Sequence, residues 1–175
     1  AARVEVGAEQ VKQYLPLLKG KRVALLSNHT GIVIQGKDTI HTLDLLLQHD
    51  VEVTAIFSPE HGFRGTAREG EHVASSVDPK TGIPILSLYD GKSHRPSKEA
   101  MASFDILITD IQDVGLRFYT YYITMFRLMD ACAHEGKQFI VFDRPNPNGW
   151  YVDGPILDMK HKSGVGALPI PVVHG

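Results

Sequence analysis

The feature that most limits the folds open to this chain is a set of short apolar runs that stop abruptly in reactive polar side chains. Lys21–Ser27, Val51–Phe57, Ile85–Tyr89, Asp105–Thr109 and Gln138–Phe142 are too short for buried helices. The first is apolar at consecutive positions, which marks a strand covered on both faces. Helical patterns separate the strands. Asp38–His49 places apolar residues at 40, 43, 46 and 47, Ser97–Met101 supplies one or two turns, and Phe118–Glu135 forms a long helix stopped by Gly136. Strands alternating with helices predict an α/β domain of three layers, with a mostly parallel sheet and right-handed crossovers. Residues 58–82 read as one long loop, a length usually tied to function.

Four of the runs end in Ser27-Asn28-His29, Ser58-Pro59-Glu60-His61, Thr109-Asp110 with Gln112-Asp113, and Asp143-Arg144. Ligands of open α/β sheets bind beyond the carboxyl ends of the strands, where the following loops converge. The repeated endings therefore predict a catalytic or binding rim.

Composition removes several classes. The 175 residues suffice for one core, and a formal charge of -2 without a basic stretch argues against a nucleic-acid partner. No apolar run is long enough to cross a bilayer, so no transmembrane segment is expected. The single Cys132 excludes an intrachain disulfide and a multi-cysteine metal site, and its apolar helical setting reads as a core thiol. There is no Gly-x-Gly-x-x-Gly after the first strand, no Gly-Lys-Ser/Thr phosphate loop and no Gly-x-Ser-x-Gly elbow. No cofactor is expected. Residues 1–167 are read as the domain. The stretch 168–175, Pro-rich and without a capping element, is read as an extended arm or, preferably, the start of a further segment.

Glu60 is the leading single candidate. Pro59 before it and Gly62 after it constrain the backbone, and a carboxyl group there suits general acid or base work, a salt bridge to Arg64 or Arg68 being the plain alternative. His29 and His61 sit at comparable strand ends, where they can orient a carboxylate or bind an oxygen. Together with Glu60, His72, Asp110, Asp113 and Asp143 they offer imidazole and carboxylate donors, but none has zinc-motif spacing, and no metal is assigned. Asp110-Ile-Gln112-Asp113-Val-Gly-Leu-Arg117 is the densest cluster, with Arg117 suited either to a substrate carboxylate or to clamping one of the two aspartates. Tyr119 lies near that loop, and Asp143 and Asn146 stand in a turn-rich segment beyond the last strand. Phe118, Tyr121, Tyr122, Met125, Phe126 and Met129 recur at helical spacing and are expected to face the core.

Four motifs in order, Ser27–Gly31, Ser58–Gly65, Asp110–Tyr121 and Asp143–Gly149, resemble the exo-β-N-acetylmuramidase family, formerly a domain of unknown function. Leu168–Gly175 resembles the place where the family's N-terminal domain runs on. The resemblance implies a Rossmann-like catalytic domain whose cleft is completed by a C-terminal domain of the same protein. It also implies a periplasmic or secreted bacterial enzyme that releases terminal N-acetylmuramic acid from muropeptides or disaccharides derived from peptidoglycan. The family's conserved glutamate falls on Glu60, and further motif residues fall on Asn28, His29, Arg64, Asp110, Gln112, Asp113, Arg117, Tyr119, Asp143 and Asn146.

On that reading Glu60 protonates the leaving oxygen and Asp113 or Asp110 is the second carboxylate. Arg117 or Arg64 reads the lactyl carboxylate, and His29, His61 and Asn28 position hydroxyls or the acetamido group. Two alternatives stand beside it: a carbohydrate-binding domain inactive without its C-terminal half, and a metal-dependent phosphohydrolase.

Overall fold

The structure, a computed structural model, describes residues 3–59, 63, 76–88 and 91–175. Helix α1 (Val11–Leu18) leads into strand β1 (Arg22–Ser27), and a hairpin of β2 (Ile32–Gln35) and β3 (Asp38–His41) runs into helix α2 (Thr42–Gln48). Then come β4 (Glu52–Phe57), β5 (Ser76–Val77), β6 (Pro84–Leu86), α3 (Lys98–Ala102), β7 (Ile106–Asp110), α4 (Tyr121–His134) and β8 (Gln138–Val141). Among the described residues, six of these strands form one sheet in the order β5-β6-β4-β1-β7-β8, parallel throughout except for the edge pair β5 and β6.

Because successive side chains of a strand face opposite sides, each fully buried strand must feed two cores. Val23 and Leu25 of β1, Ile56 of β4, and Ile106 and Ile108 of β7 face α1 and α2, where Tyr14, Leu18, Leu43 and Leu46 cover them. Ala24, Leu26, Ala55, Phe57 and Leu107 face the other side, against Ala100 and Met101 of α3 and Leu128, Ala131 and Cys132 of α4. The result is the expected three-layer, Rossmann-like α/β domain. Burial pushes the Cys132 thiol up to about 12, with Lys137 opposing, as suits a core thiol.

Three local expectations change. The stretch 58–82 is not all loop, since Ser76–Val77 pairs antiparallel with β6 at the sheet edge. Residues 38–49 are not one helix: Asp38–His41 pairs antiparallel with Ile32–Gln35. Register closes on Gln35 and Asp38, so Gly36-Lys37 is a two-residue turn, and Gly36 adopts the φ of +63° that such a turn demands. The helix begins only after His41, whose Nδ1 accepts the Leu43 amide and caps it. The aromatic stripe is also rotated from its expected direction. Helix α4 buries Tyr122, Ile123, Leu128, Ala131 and Cys132, whereas Phe118, Phe126 and Met129 are exposed. Residues one position away from the seam lie about 100° around the helix, enough to turn them from the sheet. Helix α1, which the strand-and-helix pattern does not announce, closes one face of the sheet through Tyr14, whose hydroxyl donates to the Ala8 carbonyl at 2.8 Å.

Candidate functional site

Strands β4, β1, β7 and β8 are neighbours and parallel, so their carboxyl ends lie along one edge. Register sets Leu26 beside Phe57, Ser27 beside Asp110 and Thr109 beside Val141. From β1 the chain moves outward through β4 and β6, then returns to the other side of β1 as β7. The loops after β1 and β7 therefore flank this switch of direction, the place where sheets of this topology keep their ligand crevice.

The β1 side of the crevice is a tight, self-bonded turn. Ser27 Oγ donates to the Asp110 carbonyl at 2.7 Å, across the strand pair. Asn28 is buried, and its Oδ1 accepts from the Thr30 amide at 2.9 Å and from the Thr30 hydroxyl. His41 Nδ1 accepts from Leu43, so the ring proton stays on Nε2, which donates to the Asn28 carbonyl at 2.8 Å. A Cβ at position 31 would meet Ser27 Oγ at 2.2 Å, so only glycine fits where this turn crosses the strand end. One donor is left over: among the described residues, the buried Asn28 Nδ2 has no partner. His29, next to it, is exposed on the rim.

On the β7 side, the two aspartates separate. Asp110 is fully buried, and Arg144 binds it through Nε and Nη2 while Thr42 donates its hydroxyl. The same guanidinium donates to the Ile32 carbonyl at 3.0 Å, tying β8, β7 and the β2–β3 hairpin together. Asp110 thus lies beneath the rim as an anchor, with both oxygens occupied, and does not face the crevice. Charge-assisted bidentate pairing of this kind fixes geometry more than it supplies a reactive group. Asp113 lies above it. Its Oδ1 is buried and has no hydrogen-bond partner among the described residues, and its Oδ2 is 3.7 Å from His174 Nε2.

Gln112 braces this loop: its amide nitrogen donates to the Asp113 carbonyl at 2.6 Å and to the Pro145 carbonyl at 2.9 Å, and its backbone N–H donates to Thr30 Oγ1 at 3.1 Å. Asn146 packs over Gly115, where a Cβ would meet its side-chain nitrogen at 2.5 Å, and its Oδ1 caps the Asn148 amide at 2.9 Å. Asp143 is exposed at the end of β8. Tyr119 is half-buried edge-on to Tyr121, with ring centroids 5.0 Å apart. Arg117 clamps neither aspartate. Its Nη1 donates to the Pro155 and Ile170 carbonyls, each at 2.8 Å, which commits it to holding the C-terminal stretch.

Asn28, Gln112, Asp113 and Asn146 therefore lie in the loops beyond these strand ends, His29 and Asp143 stand exposed there, and Asp110 and Arg117 serve as struts. Glu60, His61, Arg64 and His72 lie outside the described residues, and the buried Pro59 brings the chain to the end of β4 beside β1. Among the described residues no group of His, Cys, Asp and Glu could hold a metal ion, and no helix is long and apolar enough to cross a membrane. Local sequence marked Arg144 as a run ending but not as the partner of Asp110, a role that needs the β7–β8 pairing, and it did not single out His174, which comes to Asp113 from the far end of the chain.

Residues 23–175 match the family model described as exo-beta-N-acetylmuramidase NamZ, N-terminal. The chain is 45% identical over 176 residues to the peptidoglycan beta-N-acetylmuramidase NamZ of Bacillus subtilis (strain 168), covering 99% of itself and 42% of that protein. Crystal structures of two DUF1343 family proteins from Bacteroides fragilis NCTC 9343 superpose with a TM-score of 0.84 each, at 60% and 38% identity, again over 99% of this chain and 44% of theirs. The chain thus spans less than half the length of these relatives. With the family model covering the sheet and every rim residue described above, the chain belongs to the NamZ family of exo-β-N-acetylmuramidases, as its N-terminal part.

Proposed function

We propose that this chain carries the catalytic rim of a glycosidase that releases terminal β-linked N-acetylmuramic acid from the non-reducing ends of peptidoglycan fragments. The observation that supports this most is the 45% identity to the Bacillus subtilis enzyme over 99% of the chain. In this reading Glu60 donates the proton to the leaving glycosidic oxygen. Asp113 is the second carboxylate, since Asp110 is held by Arg144 and Thr42 while Asp113 keeps a buried acceptor unpaired. Asn28 Nδ2 offers a donor to a sugar hydroxyl or the acetamido oxygen. Arg117 spends its guanidinium on the Pro155 and Ile170 carbonyls, so Arg64 takes the lactyl carboxylate. His29, His61, Asp143 and Asn146 line the sugar's approach, and the remainder of the relatives' length closes the cleft. The substrate lies outside the cytoplasm, and we place the protein in the periplasm or the medium.

The test is hydrolysis of N-acetylmuramyl-N-acetylglucosamine, with the released sugar and its anomeric configuration followed by NMR. Glu60→Gln is expected to lower turnover by about 100-fold or more, the usual worth of a positioned general acid. A parent protein that releases no N-acetylmuramic acid, or a Glu60→Gln variant within a few-fold of it, would sink the reading.

A further inference from the structure

Buried polar atoms in folded proteins almost always find partners, so orphans that gather in one place call for a reason. Asp113 Oδ1 and His174 Nε2 are two such atoms among the described residues, and the Tyr122 ring lies beside them. They are neighbours: His174 Nε2 is 3.7 Å from Asp113 Oδ2, and the His174 and Tyr122 rings are 5.5 Å apart. Burial raises the Tyr122 pKa, the Ala167 backbone and the Arg117 charge lower it, and Asp113 raises it.

The backbone that brings His174 here is heavily fixed. Arg117 N–H donates to the Val172 carbonyl at 2.8 Å, His174 N–H to the Gly115 carbonyl at 2.9 Å, and Val173 exchanges bonds with Asp153 at 2.9 and 3.1 Å. The Arg117 guanidinium holds Ile170 and Pro155 from the other side. The imidazole is therefore delivered to the Asp113 carboxylate by a tethered strand-like arm, while the last step between them is left open. At 3.7 Å the pair is beyond hydrogen-bonding distance, and a small rotation of either side chain closes it.

We propose that His174 is a positioning residue for the Asp113 carboxylate. Its Nε2 takes Oδ2, which turns Oδ1 toward an incoming sugar hydroxyl or water. This rests on the reading of Asp113 as the second carboxylate. Among the described residues the titratable groups beside His174 are Asp113 from the β7–α4 loop and Tyr122 from α4.

The experiment compares the parent with His174→Gln, Asp113→Asn and the double variant on a β-N-acetylmuraminide, across pH. His174→Gln is expected to lower kcat by about 10- to 100-fold, the cost of a carboxylate misplaced by about 1 Å, with KM little changed and the shape of the pH profile altered. In the double variant the loss should equal that of Asp113→Asn alone, because the two residues act as one unit. An unchanged kcat, a uniform fall at every pH, a rise in KM alone, or additive losses would each overturn the proposal. The Leu116 and Val173 amide signals report whether the arm stays docked in each variant.

A second readout needs no turnover. Ring-nitrogen NMR signals of His174 should change between parent and Asp113→Asn, in a chain extended past Gly175 so that no terminal carboxylate sits beside the ring. Unchanged signals overturn the pairing, whereas a parent that cleaves no muraminide overturns only the substrate reading.

Discussion

Asp110 and Asp113 stand three residues apart in one motif and do opposite work. Asp110 belongs to the last position of β7, where its side chain turns down into the layer between the sheet and the hairpin, and Arg144 and Thr42 claim it. Asp113 is past the strand, in a loop free to turn toward the crevice. Sequence marked both as candidates because residue type is local, whereas the direction of a side chain depends on where the strand stops. Removing one member of a buried ion pair strands the other charge in a poorly polarisable interior. Arg144→Met is therefore expected to destabilise the protein by about 3–5 kcal/mol, read as a lower midpoint in urea unfolding. A midpoint within error of the parent would show that Asp110 is not the anchor described.

At the scale of elements, the central strands β1, β4 and β7 were legible because burial on both faces leaves a run of apolar residues, whereas the short strands β2, β3 and β5 were not. The start of α2 was not. Thr39, Ile40 and Leu43 fit a helical face and an alternating strand equally well over so few residues, and the partner strand Ile32–Gln35 decides between them. The rotation of α4 has a similar origin, since several aromatic positions compete for one seam and packing against β7 and β8 selects Leu128, Ala131 and Cys132.

The amino end of β1 is pinned by charge. Arg22 bonds Asp105 through its backbone N–H at 2.8 Å and its guanidinium at 3.0 Å, which holds the Asp105 carboxyl down at about 2. A depressed carboxyl stabilises the fold above its unfolded value of about 4, and that contribution is lost as pH falls toward the folded value. Arg22→Gln is expected to flatten the pH dependence of stability between those limits and leave the region above it with a constant offset. Acid titrations of unfolding that superpose in slope for parent and variant would contradict this.

For the whole molecule, the decisive fact is the return of the chain to the far side of β1 as β7. That single crossing places Asn28 against the Asp110–Asp113 loop. It also gives the tail from Ile170 to His174 a groove to occupy between residues 115–117 and Asp153. Arg117 is the clamp of this arrangement, and charged hydrogen bonds contribute more than neutral ones. Arg117→Ala is expected to speed amide exchange at Val173 and His174 by about 10-fold or more, following the ~1.5–3 kcal/mol typical of such bonds, while core amides of β1 and β7 keep their protection. Equal acceleration in the core would mean that Arg117 supports the global fold instead of the arm.

The sequence by itself determined the layered α/β class and the five runs that became β1, β4, β6, β7 and β8, because these follow from periodicity and from the chemistry of residues next to one another. Its motifs also sufficed to identify the family. Only the tertiary structure decided which of these residues are tied up as struts. Asp110 and Arg117 became struts and His174 joined Asp113, through partners 34, 38 and 61 residues away. Pairing across such separations depends on strand order and on where each loop closes, and no local pattern of residues encodes either.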